Sequence, residues 1–245
     1  MMNIRQIGGG PVQIVWAHGW GQDGEAFTPL AQSFGALATS YLPDFPGFGA
    51  TPPPEEAWGT REYADHVAGW LRTLPAGPRI WVGHSFGCRL GIQLAAHYPY
   101  LFDQMVLVAA AGLKRKRTMF EKISYNTKVY TFKTLKTFVP EGPKRDALRA
   151  KFGSSDYRTA GVLRQSFVKI VNEDLKEEAT RVSCPTLIIV GSKDTETPPE
   201  ISERLNKKIP NSKLHILDGF DHYTILNAGR HQVASLIKEF MDPQT

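Results

Sequence analysis

Arg79-Ile80-Trp81-Val82-Gly83-His84-Ser85-Phe86-Gly87 runs from an apolar, β-rich segment into a glycine-flanked turn, and Cys88 to Ala96 continues with the composition of a helix. Strand, then G-x-S-x-G, then helix puts the serine on a turn so sharp that its backbone is strained and its hydroxyl stands clear of the sheet. Such a turn leaves no room for side chains two residues either side of the serine. Gly83 and Gly87 are therefore steric requirements. A lone G-x-S-x-G is common by chance. The flanking strand and helix make it informative.

Working outward, the chain alternates strands with helices. Val12 to Ala17 reads as a buried strand, Ala26 to Leu37 as a helix, and Ser40 to Pro43 as a short strand entering a Pro/Gly-rich loop, Asp44 to Pro54. Thr60 to Leu74 carries Tyr63, Val67, Trp70, Leu71 and Leu74 at the helical period, with Thr60 as a candidate cap. Met105 to Val108 and Thr186 to Val190 read as strands. A helix near Glu200 to Lys208, a strand Lys213 to Ile216 and an amphipathic helix Arg230 to Met241 complete the pattern. The alternation predicts an α/β fold, a mainly parallel sheet with helices on both faces. The expected division is a core of residues 1–112 and 182–245 interrupted by a helical insertion, 113–181. In the insertion, apolar residues including Phe120, Tyr130 and Phe132 are spaced through basic ones. Pro140 and Pro143 interrupt it before helical stretches resume at Ala147 to Phe152 and Ala160 to Leu175.

Ser85 is the candidate nucleophile, and a serine hydroxyl needs an adjacent base. His222, in Gly219-Phe220-Asp221-His222-Tyr223, follows the last strand and falls at the carboxyl edge of the sheet, where the serine turn also points. Asp194, directly after the strand ending near Val190, is the candidate to orient that histidine. Asp218 and Asp221 are rival acids, although neither ends a buried strand. An oxyanion needs two donors. The backbone N–H of Phe86 supplies one, and Trp20, between the glycines of His18-Gly19-Trp20-Gly21, supplies the other. His18 reads as a brace for that loop and His84 as packing or pocket wall. Phe48, Phe120 and Phe132 are candidates for lining an apolar substrate pocket. No phosphate-binding glycine loop and no metal-ligand spacing occurs in the sequence, so no metal and no cofactor is expected.

The 245 residues suit one α/β domain with an insertion. No apolar run reaches the ~20 residues of a membrane span, and the first ten residues lack a signal-peptide layout, so a cytoplasmic location is expected. Cys88 and Cys184 form no disulfide framework. The net charge of +5 is uneven: between Leu113 and Arg181 stand 17 lysines and arginines against 8 acids, and elsewhere 12 against 16. A basic segment thus interrupts a mildly acidic body, which bears on partners and not on fold. No recognition motif for nucleic acid accompanies the charge.

Together, His18-Gly19-Trp20-Gly21, Gly83-His84-Ser85-Phe86-Gly87, Gly191-Ser192-Lys193-Asp194 and Asp221-His222 resemble the α/β-hydrolase superfamily over nearly the whole chain, with the insertion where that family carries its cap. The resemblance implies Ser85, Asp194 and His222 as a catalytic triad, with Trp20 and Phe86 as oxyanion donors. It also implies a serine hydrolase cleaving carboxylic esters of small molecules. Only eleven residues precede the first core strand, so the leading strands are expected to reduce to one edge strand around Asn3 to Ile7. The His-Gly-Trp-Gly turn and basic cap are also similar to the pimeloyl-acyl-carrier-protein methyl ester esterases. Those enzymes have tryptophan and leucine where this chain has His84 and Phe86. That likeness implies an acyl carrier protein, or coenzyme A, meeting the basic cap. Carbon–carbon or lactone hydrolysis, acyl transfer, and a non-enzymatic ligand receptor are the alternatives on the same fold. Ser85 stands where dehalogenases and epoxide hydrolases carry aspartate.

Overall fold

The computed structural model describes residues 1–116, 119–140, 142, 144 and 155–241. Seven strands form one sheet among them: β1 (Ile4–Ile7), β2 (Val12–Ala17), β3 (Ala38–Pro43), β4 (Arg79–His84), β5 (Gln104–Val108), β6 (Thr186–Gly191) and β7 (Ser212–Leu217). Their order is β1-β3-β2-β4-β5-β6-β7. Only β1 is antiparallel, pairing with β3 from Ile4↔Pro43 to Ile7↔Ser40. All other neighbours run parallel. This is the α/β-hydrolase fold, reached with a single leading edge strand. After β2 the chain goes to one side of the sheet for β3 and to the other for β4. Such a reversal opens a crevice at the carboxyl ends of the adjoining strands.

The period-two alternation of the strands sorts the core into two layers. Val15, Trp81, Leu107 and Ile188 face one side, where Tyr63 and Val67 of α2 (Thr60–Leu71), Leu90 and Leu94 of α3 (Phe86–His97), and Leu205 of the helix between β6 and β7 cover them. Ile14, Trp16, Val82, Val106 and Ile189 face the other side, beneath Leu30 of α1 (Thr28–Gln32) and Val233 and Ile237 of the last helix. Strands buried on both faces explain the near-continuous apolar runs. Burying each large side chain contributes roughly 1.5–3 kcal/mol.

Between β5 and β6 lie α4 (Met119–Phe138), α5 (Ser155–Thr159), α6 (Arg164–Asn172) and α7 (Lys176–Arg181). After β6 come α8 (Pro199–Lys208), α9 (Thr224–Asn227) and α10 (Arg230–Met241). The expected helices at Ala26–Leu37 and Ala160–Leu175 are both shorter and broken. The first divides into a 3-10 turn, Gly24–Phe27, and α1, because Asp23 caps the turn and Pro29 restarts the helix. The second is interrupted at Gly161, with φ of 51°, and ends where Glu173 turns extended. The helix expected from Thr60 to Leu74 stops at Leu71. The stretch Ala147–Phe152 and Pro143 lie outside the described residues.

Thr60 does not cap α2; Gly59 holds that position. The Glu173 carboxylate does the work from the insertion, accepting hydrogen bonds from the Thr60 N–H (3.0 Å) and the Thr60 hydroxyl. A carboxylate on a helix N-terminus satisfies donors that have no partner inside the helix. Nearby, Trp58 N–H donates to Ser166 Oγ (3.0 Å) and Lys169 Nζ to the Ala57 carbonyl (2.6 Å). Residues 57–60 thus tie the insertion to the sheet-covering layer.

Candidate functional site

Ser85 joins β4 to α3 with φ 49° and ψ −102°, a conformation that costs a non-glycine residue about 1–3 kcal/mol. The surroundings enforce it. The Ser85 N–H donates to the Val108 carbonyl at 3.1 Å. Gly87 lies so close to β2 that a Cβ there would sit 2.0 Å from the Ala17 carbonyl oxygen, and a Cβ on Gly83 would sit 2.6 Å from the Gly87 backbone. The close approach of α3 to the sheet therefore requires both glycines. Phe86 is the first residue of α3, so its N–H has no partner inside the helix.

Asp194 and His222 come together from the ends of β6 and β7. Asp194 Oδ1 accepts from the amides of Glu196 (2.9 Å) and Thr197 (2.8 Å). Oδ2 accepts from Thr197 Oγ1 (3.0 Å) and lies 2.8 Å from His222 Nδ1. The Asp194 side chain is fully buried and that of His222 nearly so. A carboxylate facing Nδ1 draws the proton to that nitrogen and leaves Nε2 with its lone pair, able to accept a proton. The rival acids are occupied elsewhere. Asp221 Oδ1 accepts from the amides of Tyr223 and Thr224, which hold its carboxyl below the usual range, and Asp218 accepts from Ser192 Oγ.

Ser85, His222, Trp20, Gly19 and His84 line one small cavity with Asp156 and Tyr223. The Ser85 hydroxyl makes no hydrogen bond among the described residues. Donor–acceptor contacts of this kind commonly tighten only in the substrate complex. His18 is fully buried. Its Nδ1 lies 2.8 Å from the Gly19 carbonyl, and its Nε2 accepts from the Phe45 amide at 3.1 Å. Burial pushes its pKa down to about 4, so it stays neutral and links the Gly19–Trp20 turn to the loop after β3.

Three side chains contribute here: His84, expected as packing or pocket wall, lines the cavity, and the sequence reading gives Thr197 and Phe167 no role. His84 is buried, and burial, then the neighbouring His222, pushes its pKa down to about 3. Its Nε2 lies 2.9 Å from the His222 carbonyl, where a neutral ring donates; Nδ1 then carries only a lone pair, so its 3.2 Å approach to the Gln22 amide oxygen is a contact and not a second hydrogen bond. The Gln22 amide oxygen also accepts from the Gly19 N–H at 2.9 Å. His84 thus lines the cavity and also holds the His222 loop through one hydrogen bond, while Gln22 separately holds the Gly19 amide. Thr197, whose Oγ1 lies 3.0 Å from both Asp194 Oδ2 and the Ala109 carbonyl and shares its one proton between them, seats the Asp194 carboxylate. The third is Phe167. The i to i+3 contacts Gly19–Gln22 and Asp194–Thr197 are short-range and legible in principle as turn chemistry.

The expected pocket residues are divided. Phe48 packs on Trp20 (ring centroids 4.9 Å apart) and on Phe86 (5.9 Å). Trp20 also meets Phe167 of α6 at 5.2 Å. Phe132 of α4 is further out, reaching this group through Tyr157 (6.3 Å) and then Phe167 (6.5 Å). The side chain of Phe120 lies outside the described residues.

Comparison with known proteins agrees with this architecture. The chain is 25% identical over 238 residues to a 2-(acetamidomethylene)succinate hydrolase of Mesorhizobium japonicum, covering 91% of this chain and 85% of the relative. A lipase-esterase related protein of Clostridium acetobutylicum superimposes with a TM-score of 0.75 at 18% identity, covering 98% of this chain and 99% of the other. An esterase of Exiguobacterium antarcticum gives 0.75 at 20% identity, covering 98% and 94%. At these identities the two structures speak for the fold alone. The model of the alpha/beta hydrolase family matches residues 14–236, nearly the whole chain. The protein is a member of the α/β-hydrolase family.

Proposed function

We propose that the protein is a serine hydrolase of carboxylic esters that works through an acyl-enzyme. Ser85 attacks the ester carbonyl while His222 Nε2 takes its proton. The negative oxygen of the tetrahedral intermediate rests on the Trp20 and Phe86 amides, an arrangement worth roughly 3–4 kcal/mol per donor in related chemistry. Protonated His222, stabilised by Asp194, returns the proton to the leaving alcohol. Water then enters by the same route and releases the acid. The observation that carries this reading is the 2.8 Å contact of buried Asp194 with His222 Nδ1, at a cavity shared with a strained serine.

The residues 113–181 are proposed as a cap over this site, with Phe48, Trp20 and Phe167 facing the acyl chain and Phe132 at the outer edge. The cavity between Ser85 and His222 is small, about 20 Å³, so an acyl group enters only when side chains that line it, such as Trp20 and Tyr223, give way. Within this reading, the basic insertion favours an ester carried on an acidic carrier protein, of the pimeloyl type, or on coenzyme A, because complementary charge steers encounter.

The test is a substrate panel. It holds p-nitrophenyl esters from acetate to laurate, a methyl pimeloyl thioester on acyl carrier protein, and 2-(acetamidomethylene)succinate, on which the Mesorhizobium relative is named. Hydrolysis of esters that disappears in Ser85→Ala supports the proposal. Turnover confined to the succinate, or retained in Ser85→Ala, overturns it.

A further inference from the structure

The helix α4 is apolar on two sides. Its inner side carries Val129 and Phe132, both half-buried, with Phe132 against Tyr157. At ~100° per residue, Met119, Ile123 and Tyr130 fall within about 40° of one another and roughly 130° away from that inner side. They are 70%, 61% and 68% exposed. Phe138, at the end of the helix, is 81% exposed. A surface helix normally turns polar residues outward. Single exposed apolar residues need no explanation, but an aligned row on one helix marks a contact surface. The helix core does not use these side chains, and the inner face already supplies the packing.

The charge around the row indicates what covers it. Lys114, Arg115 and Lys116, all exposed, lead into the helix at the Met119 end. The helix itself holds Lys122, Lys128, Lys133 and Lys136 against one acid, Glu121. By helical position Lys122 and Lys133 fall about 60–80° to one side of the apolar row, whereas Lys128 and Lys136 fall about 160° and 120° away from it. A row of large apolar residues with exposed basic residues at one end and lysine positions along one flank, on a helix too polar to cross a bilayer, fits the interface of an anionic membrane. There the apolar row enters the boundary of the acyl chains and the lysines meet phosphate headgroups. Among the described residues no helix is long and apolar enough to span a membrane, so the contact is peripheral. An acidic soluble partner would use the lysines but would leave Met119, Ile123 and Tyr130 without a role.

We infer that the outer face of Met119–Phe138 is a docking surface for anionic lipid bilayers. The inference is independent of the reaction proposed above, and it competes with the carrier-protein reading for the same basic segment. The test is flotation of the full chain with vesicles of phosphatidylcholine alone, and of phosphatidylcholine with 30% phosphatidylglycerol. Ile123→Glu/Tyr130→Glu serves as the variant and circular dichroism as the check on folding. The expected result is flotation with the anionic vesicles only, weakening as salt shortens the Debye length from about 10 Å at 0.1 M toward 3 Å at 1 M. The double variant is expected to bind about tenfold less or weaker, with an unchanged thermal transition. Absence of flotation overturns the inference, as does equal flotation of the folded double variant. A self-associated wild type that turns monomeric in the double variant without lipid binding assigns the face to a second copy and overturns it as well. Binding to an acidic soluble protein that is indifferent to Ile123 and Tyr130, without flotation, also overturns it.

Discussion

Replacing Asp194 by asparagine changes one atom and reverses a hydrogen-bond pattern. The carboxylate receives four donors on two oxygens: the amides of Glu196 and Thr197, the Thr197 hydroxyl, and His222 Nδ1. An asparagine has one accepting oxygen. The two backbone amides, at 2.9 and 2.8 Å, keep that oxygen where Oδ1 now lies, so the new NH2 group occupies the Oδ2 position and faces His222 Nδ1. The imidazole then takes the other tautomer, with its proton on Nε2 and its lone pair on Nδ1. A ring so arranged cannot accept the Ser85 proton, and the imidazolium loses its buried counter-charge. The same substitution in a serine protease lowers kcat by about 10⁴, and a fall of 10³–10⁴ is expected here, or about 4–5.5 kcal/mol in the barrier. The assay is kcat/KM for p-nitrophenyl butyrate from pH 6 to 9, beside thermal melting of both proteins. Activity within tenfold of wild type at neutral pH, in a protein that melts normally, would refute the role assigned to Asp194.

Acid should unfold the protein through two buried histidines. Burial lowers His18 to about 4 and His84 to about 3 against an ordinary 6.5, so the unfolded chain binds more protons between those values. Their contribution is complete above pH 6.5 and is lost as pH falls through that window, at about 1.4 kcal/mol for each pH unit that separates a histidine's folded value from its unfolded one. Urea unfolding at pH 5 and 7.5 measures the difference, and a slope unaltered in a folded His84→Asn variant would contradict the assignment. Gly87→Ala brings a Cβ to 2.0 Å from the Ala17 carbonyl oxygen and is expected to cost about 3 kcal/mol or more, read as loss of soluble protein or a lowered Tm. Glu173→Gln halves the acceptors on the first turn of α2. A loss of about 1–2 kcal/mol in unfolding free energy is expected, and no change would place the insertion's anchor elsewhere.

The core of the fold was legible because its signals are local. The apolar runs at Val12–Ala17, Arg79–Val82 and Thr186–Val190 lie buried on both faces of the sheet, so each reads as strand without knowledge of its neighbours. The order of serine, aspartate and histidine, each within five residues of a strand's end, carried the candidate site for the same reason. Less was visible where tertiary contacts override local preference. Ala26–Leu37 has helical composition, yet Asp23 and Pro29 divide it. Thr60 has the chemistry of a cap, but Glu173, 113 residues away, reaches the helix first. His84 reads from its motif as packing or pocket wall, but its hydrogen bond to the His222 carbonyl is invisible there, because the two meet only when their loops converge at the end of the sheet. Phe167 was hidden similarly, since nothing in its own segment indicates that it lies against Trp20.

The central claim is that Ser85 is the nucleophile that His222 activates, and trapping the serine tests it most directly. The purified chain is treated with a fluorophosphonate, and its intact mass and peptides are read by mass spectrometry. One phosphonyl group on the peptide containing Ser85 is expected, absent in Ser85→Ala and slowed by several orders of magnitude in His222→Gln. Labelling that persists in Ser85→Ala, or proceeds equally fast without His222, would contradict the account.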